Sequence, residues 1–254
     1  MMLELLHSHR SIRAYKPDPL PRALVEGIVA AGQRASTSSN LQTYSVVAVT
    51  DAAARAELAH LCGDQDHIRQ APVFLVWCTD LSRLDRASQL RSLPHAHGHL
   101  ENFLIAAVDA ALAMQNAAIA AESFGLGMCY IGGIRNNPRD VIALLKLPRL
   151  VFPLVGMTLG WPDAAPILRP RLPIDAVLHW EEYDRSDEDT LLHQYDREMA
   201  ATDIYENRQI PVPGKPGETE DYGWLEHAAR RVAHPARTTL MKVLREQGFL
   251  GEEH

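Results

Sequence analysis

The chain has 254 residues, a formal net charge of -7, 46% hydrophobic and 22% charged residues, which is the balance of a globular protein of one large or two small domains. No basic stripe of the kind that tracks a polyanion is present. The basic residues stand in small clusters at 9–13, 169–171 and 230–231, a size suited to a phosphate on a small ligand. Three cysteines, Cys62, Cys78 and Cys129, without CxxC spacing, argue against a disulfide framework or a structural zinc site and fit a reducing cytosol.

The N-terminal residues carry no long apolar run and no cleavage pattern, so a signal peptide is not expected. Residues 3–8 can form a short helix. A proline-marked stretch, Lys16-Pro17-Asp18-Pro19, precedes a helix expected at 21–35, with Pro21 in its first turn and Leu24, Ile28, Ala31 and Ala35 at helical spacing. Small polar residues at 36–40 make a loop. Residues 43–50 are β-branched enough for a strand, and Asp51 can cap a helix at 52–62. The continuous apolar run 73–78 predicts a buried central strand.

Residues 84–100 are polar and predict a surface loop or broken helix. A long alanine-rich helix follows at 101–124. Its apolar residues Leu104, Ile105, Val108, Leu112, Met114, Ala118 and Ile119 do not fit one stripe, which predicts burial on several sides and a subunit interface. Asp109, Gln115 and Asn116 in this stretch argue against a membrane span. Gly125 and Gly127 end it, 128–131 predicts a strand closing on Gly132-Gly133, and a helix is expected at 138–146 and a strand at 151–159. Residues 163–188 predict a loop. Beyond them helices are expected at 189–206 and 222–247, with a mobile loop between at 209–219. Alternating helices and strands make the class α/β or α+β.

Three clusters point to ligand chemistry. His9-Arg10-Ser11-Ile12-Arg13 gathers groups that bind phosphate oxygens, and Arg169-Pro170-Arg171 can supply a second cationic pair. At 130–136 a strand ends in two glycines before Arg135 and Asn136, where a planar ligand could approach the backbone. Taken alone, the first two read as solvated surface features, and the third reads equally as a plain tight turn. The tract His95-Ala96-His97-Gly98-His99 offers alternating imidazoles for zinc or nickel, but no other residues are expected to converge on it. It reads as an exposed polar loop with no metal. Asp80 and Asp109 read as structural, and Arg230, Arg231 and Arg237 as a solvated helix face.

Taken in order, HRSIR (9–13), SSNLQ (38–42), Gln65, AAESFGLGMCYIGGIRN (120–136), FPLVGMTLGWP (152–162) and RPRLP (169–173) resemble the nitroreductase superfamily. The likeness is to its branch of oxygen-insensitive NADPH nitroreductases and flavin reductases, over residues 3 to about 200. The resemblance implies an α+β fold with a central, mostly antiparallel sheet flanked by helices, in an intertwined homodimer with FMN at the interface. It implies an FMN core at 1–206 and a mobile loop with a helical extension packing on it at 207–254. By motif position, His9, Arg10 and Ser11, with Arg169, Pro170 and Arg171, would bind the FMN phosphate. Arg13 would face the N1/O2 edge of the flavin, and Gln65, Asp66 and His67 the N3/O4 edge. Tyr130, Ile131, Gly132 and Gly133 would lie on the N5 side, and Thr37 and Ser38 would come from the partner subunit. Arg135 and Arg208 are candidates for NADPH, although Arg208 stands two residues from the simplest alignment and Arg169 replaces the usual lysine. The implied activity is a cytoplasmic ping-pong reductase, NADPH or NADH donating two electrons to nitroaromatics, quinones, azo compounds or free flavin. A protein that binds FMN without turnover is the alternative.

Overall fold

The computed structural model describes residues 2–206, 208–212 and 214–251. In chain order its elements are α1 (Met2–His7), α2 (Arg22–Gly32), β1 (Tyr44–Val49), α3 (Ala52–Leu61), α4 (Asp66–Gln70), β2 (Val73–Asp80), α5 (Ser82–Leu90), α6 (Leu100–Ser123), β3 (Gly127–Ile131), α7 (Pro138–Leu145), β4 (Val151–Gly160), α8 (Glu188–Ala200), β5 (Gln209–Pro211), β6 (Thr219–Asp221), α9 (Trp224–Val232) and α10 (Leu240–Glu246). Residues up to 166, together with those from 237 onward, form one compact unit, and residues 167–236 form a second.

The first unit is built on a four-stranded sheet in the order β1-β2-β4-β3. Each neighbouring pair is antiparallel, so the fold is α+β. β2 is buried along its whole length, as its unbroken apolar run requires of a central strand. After α1 the chain runs beside β3. Ser11 pairs with Met128 in a parallel bridge, and the Ile12 amide donates to the Met128 carbonyl at 2.9 Å.

One face of α6 is nearly all alanine. Ala106, Ala110, Ala113, Ala117 and Ala121 are buried at the spacing that aligns side chains on one side of a helix. Small side chains let a neighbour come close. A Cβ on Gly32 of α2 would stand 2.8 Å from the Ala113 carbonyl oxygen, so this crossing depends on the absence of a side chain. The opposite face carries Leu100, Leu104, Val108 and Leu112, 44–59% exposed. The expected burial on several sides is thus divided: one face is buried within the chain and another is open. Among the described residues α6 is the one helix long and apolar enough to cross a membrane, and its alanine face belongs to the sheet core.

Asp109 interrupts this apolar helix and is buried. Its carboxylate accepts from the Ser38 amide at 2.9 Å, the Thr43 amide at 3.1 Å and the Thr43 hydroxyl at 2.8 Å. Between those donors Ser39, Asn40 and Gln42 all have positive φ, a backbone that non-glycine residues hold only when their surroundings impose it. Asp80 anchors the same end of β1 from the other side of Thr43, accepting from Ser82, Arg83 and Ser45. Both carboxylates are structural, as expected.

Several boundaries differ from the sequence expectation. Ser82–Leu90 is a regular helix where 84–100 was expected to be a loop or broken helix, and only the following residues are irregular. The stretch 209–219, expected as a loop, contains the two strands of a short hairpin, β5 and β6; Pro213, and Asn207 just before it, lie outside the described residues. The single helix expected at 222–247 is two, α9 and α10, because Pro235 cannot continue the first. The two compact units divide the chain at 166 and 236. Val243, Leu244 and Phe249 close a hydrophobic cluster with Leu81, Ala106, Leu150 and Phe152, so the segment after 237 packs into the first unit. Arg139 of α7 fixes it further with two 2.6 Å bonds to Glu246. In the second unit α8 and α9 pack through Tyr195 against Trp224, and the Leu225 amide donates to Asp196 at 2.7 Å.

Asp109→Ala leaves two amides and a hydroxyl without their acceptor and should cost about 3 kcal/mol of stability, measured as a lowered urea midpoint.

Candidate active site

The parallel bridge between Ser11 and Met128 brings two of the sequence clusters together. With the Ile12 amide bond to the Met128 carbonyl, this sets the polar segment 9–13 against the strand that ends at Gly132-Gly133. His9 is half-buried, and its Nδ1 is 2.5 Å from Glu122 Oε1. This fixes the ring and leaves Nε2 as its second polar atom. Arg10 donates to the Pro166 carbonyl at 3.2 Å, and Arg13 is exposed.

Beyond β3 the chain tightens into one short helical turn, Gly132–Arg135. A Cβ on Gly133 would lie 2.4 Å from the Cys62 carbonyl oxygen and 2.7 Å from Gln65 Nε2. Glycine is therefore obligatory, and through it the strand end is pressed against the Cys62–Gln65 loop. Gln65 Nε2 itself donates to the Cys62 carbonyl at 2.8 Å, and Asn137 and Asn136 reach the Leu61 and Cys62 carbonyls from the other side. A Cβ on Gly132 would meet nothing nearer than 3.5 Å, the closest atom being on Arg135. Arg237 Nη2 stands next, at 3.7 Å, so that face is bounded by the ends of two flexible arginine side chains and not by backbone.

His67, in the first turn of α4, has a buried Nε2 with no hydrogen-bond partner. Burial, reinforced by the Arg13 cation, pushes its pKa below the usual histidine range, so the ring is neutral at pH 7. Asp66 beside it is exposed and pairs with Arg69 at 2.8 Å. Burial raises the Tyr130 phenol, with Glu122 adding to the effect, and its hydroxyl donates to Gln115 Oε1 at 2.9 Å. It is a packed hydrogen-bonding group and not an acid near neutral pH. The buried thiols of Cys62 and Cys78 are pushed up to about 12, which removes them as nucleophiles.

The sequence reading missed Arg237. It was placed on a solvated helix face, but Pro235 ends the helix. Arg237 instead returns to the first unit, where its Nε donates to Asn136 Oδ1 at 3.0 Å. Its charge and burial together lower the Arg135 guanidinium, burial being the larger cause, while Arg135 donates to the Leu154 carbonyl. Two cations thus flank Gly132. Pro235, two residues upstream, was the available signal.

Ser38, which follows Thr37, is held by Asp109 of α6. Among the described residues neither is hydrogen-bonded to the strand-end group. In the second unit, Arg171 donates to the carbonyls of Arg169 and Pro170, and Tyr195 donates to Pro170 at 3.3 Å. Arg208 stacks on Tyr222, its guanidinium carbon 4.7 Å from the ring centroid. Arg169, Arg208, Tyr205, Tyr222 and His227 line a cavity of about 410 Å³. A larger cleft of about 880 Å³, between α2 and β1, is mostly apolar and contains none of the predicted site residues.

The fold sets a cationic N-terminal segment against the strand that ends in the Gly132-Gly133 turn. Comparison with known proteins shows the family. The "Nitroreductase family" model matches residues 6–161 and the "Nitroreductase family, C-terminal domain" model residues 169–252. The chain belongs to the nitroreductase family, in the branch of oxygen-insensitive NADPH nitroreductases and flavin reductases. It is 42% identical over 248 residues to an oxygen-insensitive NADPH nitroreductase of Salmonella typhimurium, covering 97% of each chain. Its structure is similar to that of NfrA2 of B. megaterium, with a TM-score of 0.90, 34% identity and 99% of each chain covered. It is also similar to the NADPH:FMN oxidoreductase from Vibrio harveyi complexed with NAD+, with a TM-score of 0.84, 35% identity and 97% of each chain covered.

Gly133→Ala should destabilise the protein by about 1–3 kcal/mol, since the Cys62 backbone has to move. Gly132→Ala should leave the melting temperature nearly unchanged. Thermal unfolding of the two variants side by side checks this.

Proposed function

We propose that the protein is an FMN-dependent NAD(P)H oxidoreductase that reduces nitroaromatics, quinones or free flavin. The observation that carries the reading is the Gly132-Gly133 turn, bounded by the flexible ends of Arg135 and Arg237, together with the unpartnered Nε2 of His67. A flat, hydrogen-bonding, anionic ring system fits that surface. FMN, when bound, would supply two-electron transfer from the nicotinamide to the acceptor. The chain's own work is binding, orientation and charge. His9, Arg10 and Ser11 hold the phosphate, with Arg169, Pro170 and Arg171 assigned to it by motif. Arg13 provides a cation where negative charge increases on reduction. Gln65, Asp66 and His67 bind the polar edge, and Tyr130, Ile131, Gly132 and Gly133 provide the backbone surface. Because His67 is neutral, it meets that edge without adding a second positive charge. Arg135 and Arg237 flank the face where a nicotinamide or an anionic acceptor would lie.

NADPH is the proposed donor. Arg208, with its cavity neighbour Arg169, offers the charge that a 2′-phosphate needs. The working form is proposed to be a cytoplasmic homodimer. The exposed stripe of Leu100, Leu104, Val108 and Leu112 supports this, because large apolar side chains aligned on one helix face favour a partner surface. Ser38, held by Asp109 on the same helix, and its neighbour Thr37 would then serve the partner's flavin.

Three measurements test the reading. The purified protein, supplied with FMN, should show flavin absorption that NADPH bleaches anaerobically. Bands that persist with both NADPH and NADH would point to a binding protein, and a failure to bind FMN would sink the proposal. Arg208→Gln should raise KM for NADPH about 10-fold while leaving that for NADH within about twofold, since a charge-assisted contact to phosphate is worth about 1.4 kcal/mol. Val108→Asp should shift the sedimentation coefficient from dimer to monomer and lower FMN occupancy with it.

A further inference from the structure

The histidine tract does not stand alone. His95 and His97 lie in the connection from α5 to α6, and Asp85 of α5 faces them. His95 Nδ1 is 3.3 Å from Asp85 Oδ1, and the potential ligand atoms of Asp85, His95 and His97 all lie within 4.8 Å of one another. The two imidazoles meet edge to face, 5.4 Å between centroids. All three side chains are partly buried, and His97 Nδ1 is buried with no hydrogen-bond partner.

We propose that Asp85, His95 and His97 form a three-ligand site for a divalent transition ion of the zinc class, with a fourth position left to water. Two imidazoles and one carboxylate are a donor set that zinc accepts readily. Ligands about 2.0–2.1 Å from a tetrahedral ion stand about 3.3–3.4 Å apart, the separation already present between His95 and Asp85. The surroundings are those of a prepared site. Gln89 Nε2 donates to Asp85 Oδ2 at 2.8 Å, which leaves Oδ1 facing His95 and supplies the outer-shell orientation that metal carboxylates use. The loop is pinned by Asn102 on the Ala96 carbonyl at 2.6 Å, by the His97 amide on the His95 carbonyl at 2.9 Å and by Gly251 on the Gly98 carbonyl at 2.7 Å. A hydrogen bond between His95 and Asp85 needs neither the second imidazole nor the orphaned nitrogen, whereas an ion accounts for both. The bound ion would tie α5 to the start of α6, independently of any flavin.

The test uses the full-length, FMN-supplied protein, stripped with chelator and titrated with Zn2+ by calorimetry and with Co2+ by visible absorption. One equivalent per chain should bind, with a Co2+ spectrum of four-coordinate intensity, a rise in melting temperature and unchanged flavin absorbance. Asp85→Asn, which preserves shape, and His97→Ala should each weaken binding by at least about 10-fold. Gln89→Met should weaken it by about 10- to 100-fold, and His99→Ala should not. If His97→Ala does not fold, Asp85→Asn and Gln89→Met decide. Binding that survives Asp85→Asn, that depends on His99 instead, or that falls well short of one equivalent would overturn the proposal.

Discussion

A carboxylate in the middle of an apolar helix has to be satisfied by something the helix does not itself provide, and much of the first unit depends on how Asp109 meets that demand. Its partners are the amides of Ser38 and Thr43 and the Thr43 hydroxyl. In taking them it folds the intervening residues into a positive-φ path and delivers the chain to the start of β1. The alanine face on which Asp109 rides gives α2 room to approach. One helix therefore sets the entry to the sheet, the depth of the core and the position of a polar loop. Its leucine-rich face, held rigid by the same packing, is left for another surface.

The strand-end site has a similar economy. The segment after α1 bridges β3 at Ser11–Met128 and then, antiparallel, the chain just past β4 at Tyr15–Pro162, which sets residues 9–13 beside β3. Gly133 then seats the end of β3 on the Cys62 carbonyl. Cations, a neutral half-buried imidazole and exposed backbone are collected with few contacts between side chains. Such a surface suits a cofactor that brings its own reactivity and asks the protein mainly for orientation and electrostatic support. The raised phenol and thiol pKa values agree, because neither Tyr130 nor Cys62 exchanges protons near neutrality.

Much of this was legible in the residues. The run at 73–78 announced a central strand because burial on both faces leaves no alternation. Asp51 announced a helix, and its carboxylate accepts from Ala54 at 2.8 Å. Motif order placed the two halves of the site, yet it could not say which glycine was obligatory, because that depends on the approach of Cys62 from 70 residues earlier in the chain. Arg237 was misplaced because helical spacing outweighed one proline. The histidine tract was set aside because its third member, Asp85, belongs to a stretch expected to be irregular. Once α5 is a helix, Asp85 and Gln89 occupy one side of it, four residues apart. Long-range convergence of this kind carries no local pattern.

The return of the chain at Arg237 also has a kinetic side. The cluster of Leu81, Ala106, Leu150 and Phe152 is completed only by Val243, Leu244 and Phe249, so the first unit cannot finish its core until a 70-residue insertion lies between its two parts. Closing a loop of that length costs entropy that grows only slowly with its size, but the contacts that repay the cost are among the most distant in sequence. During synthesis at about 5–20 residues per second, the apolar patch on Leu150 and Phe152 would wait several seconds for its cover. A compact insertion that folds early would shorten the effective distance between the ends, so the second unit can act as a brace for the assembly of the first.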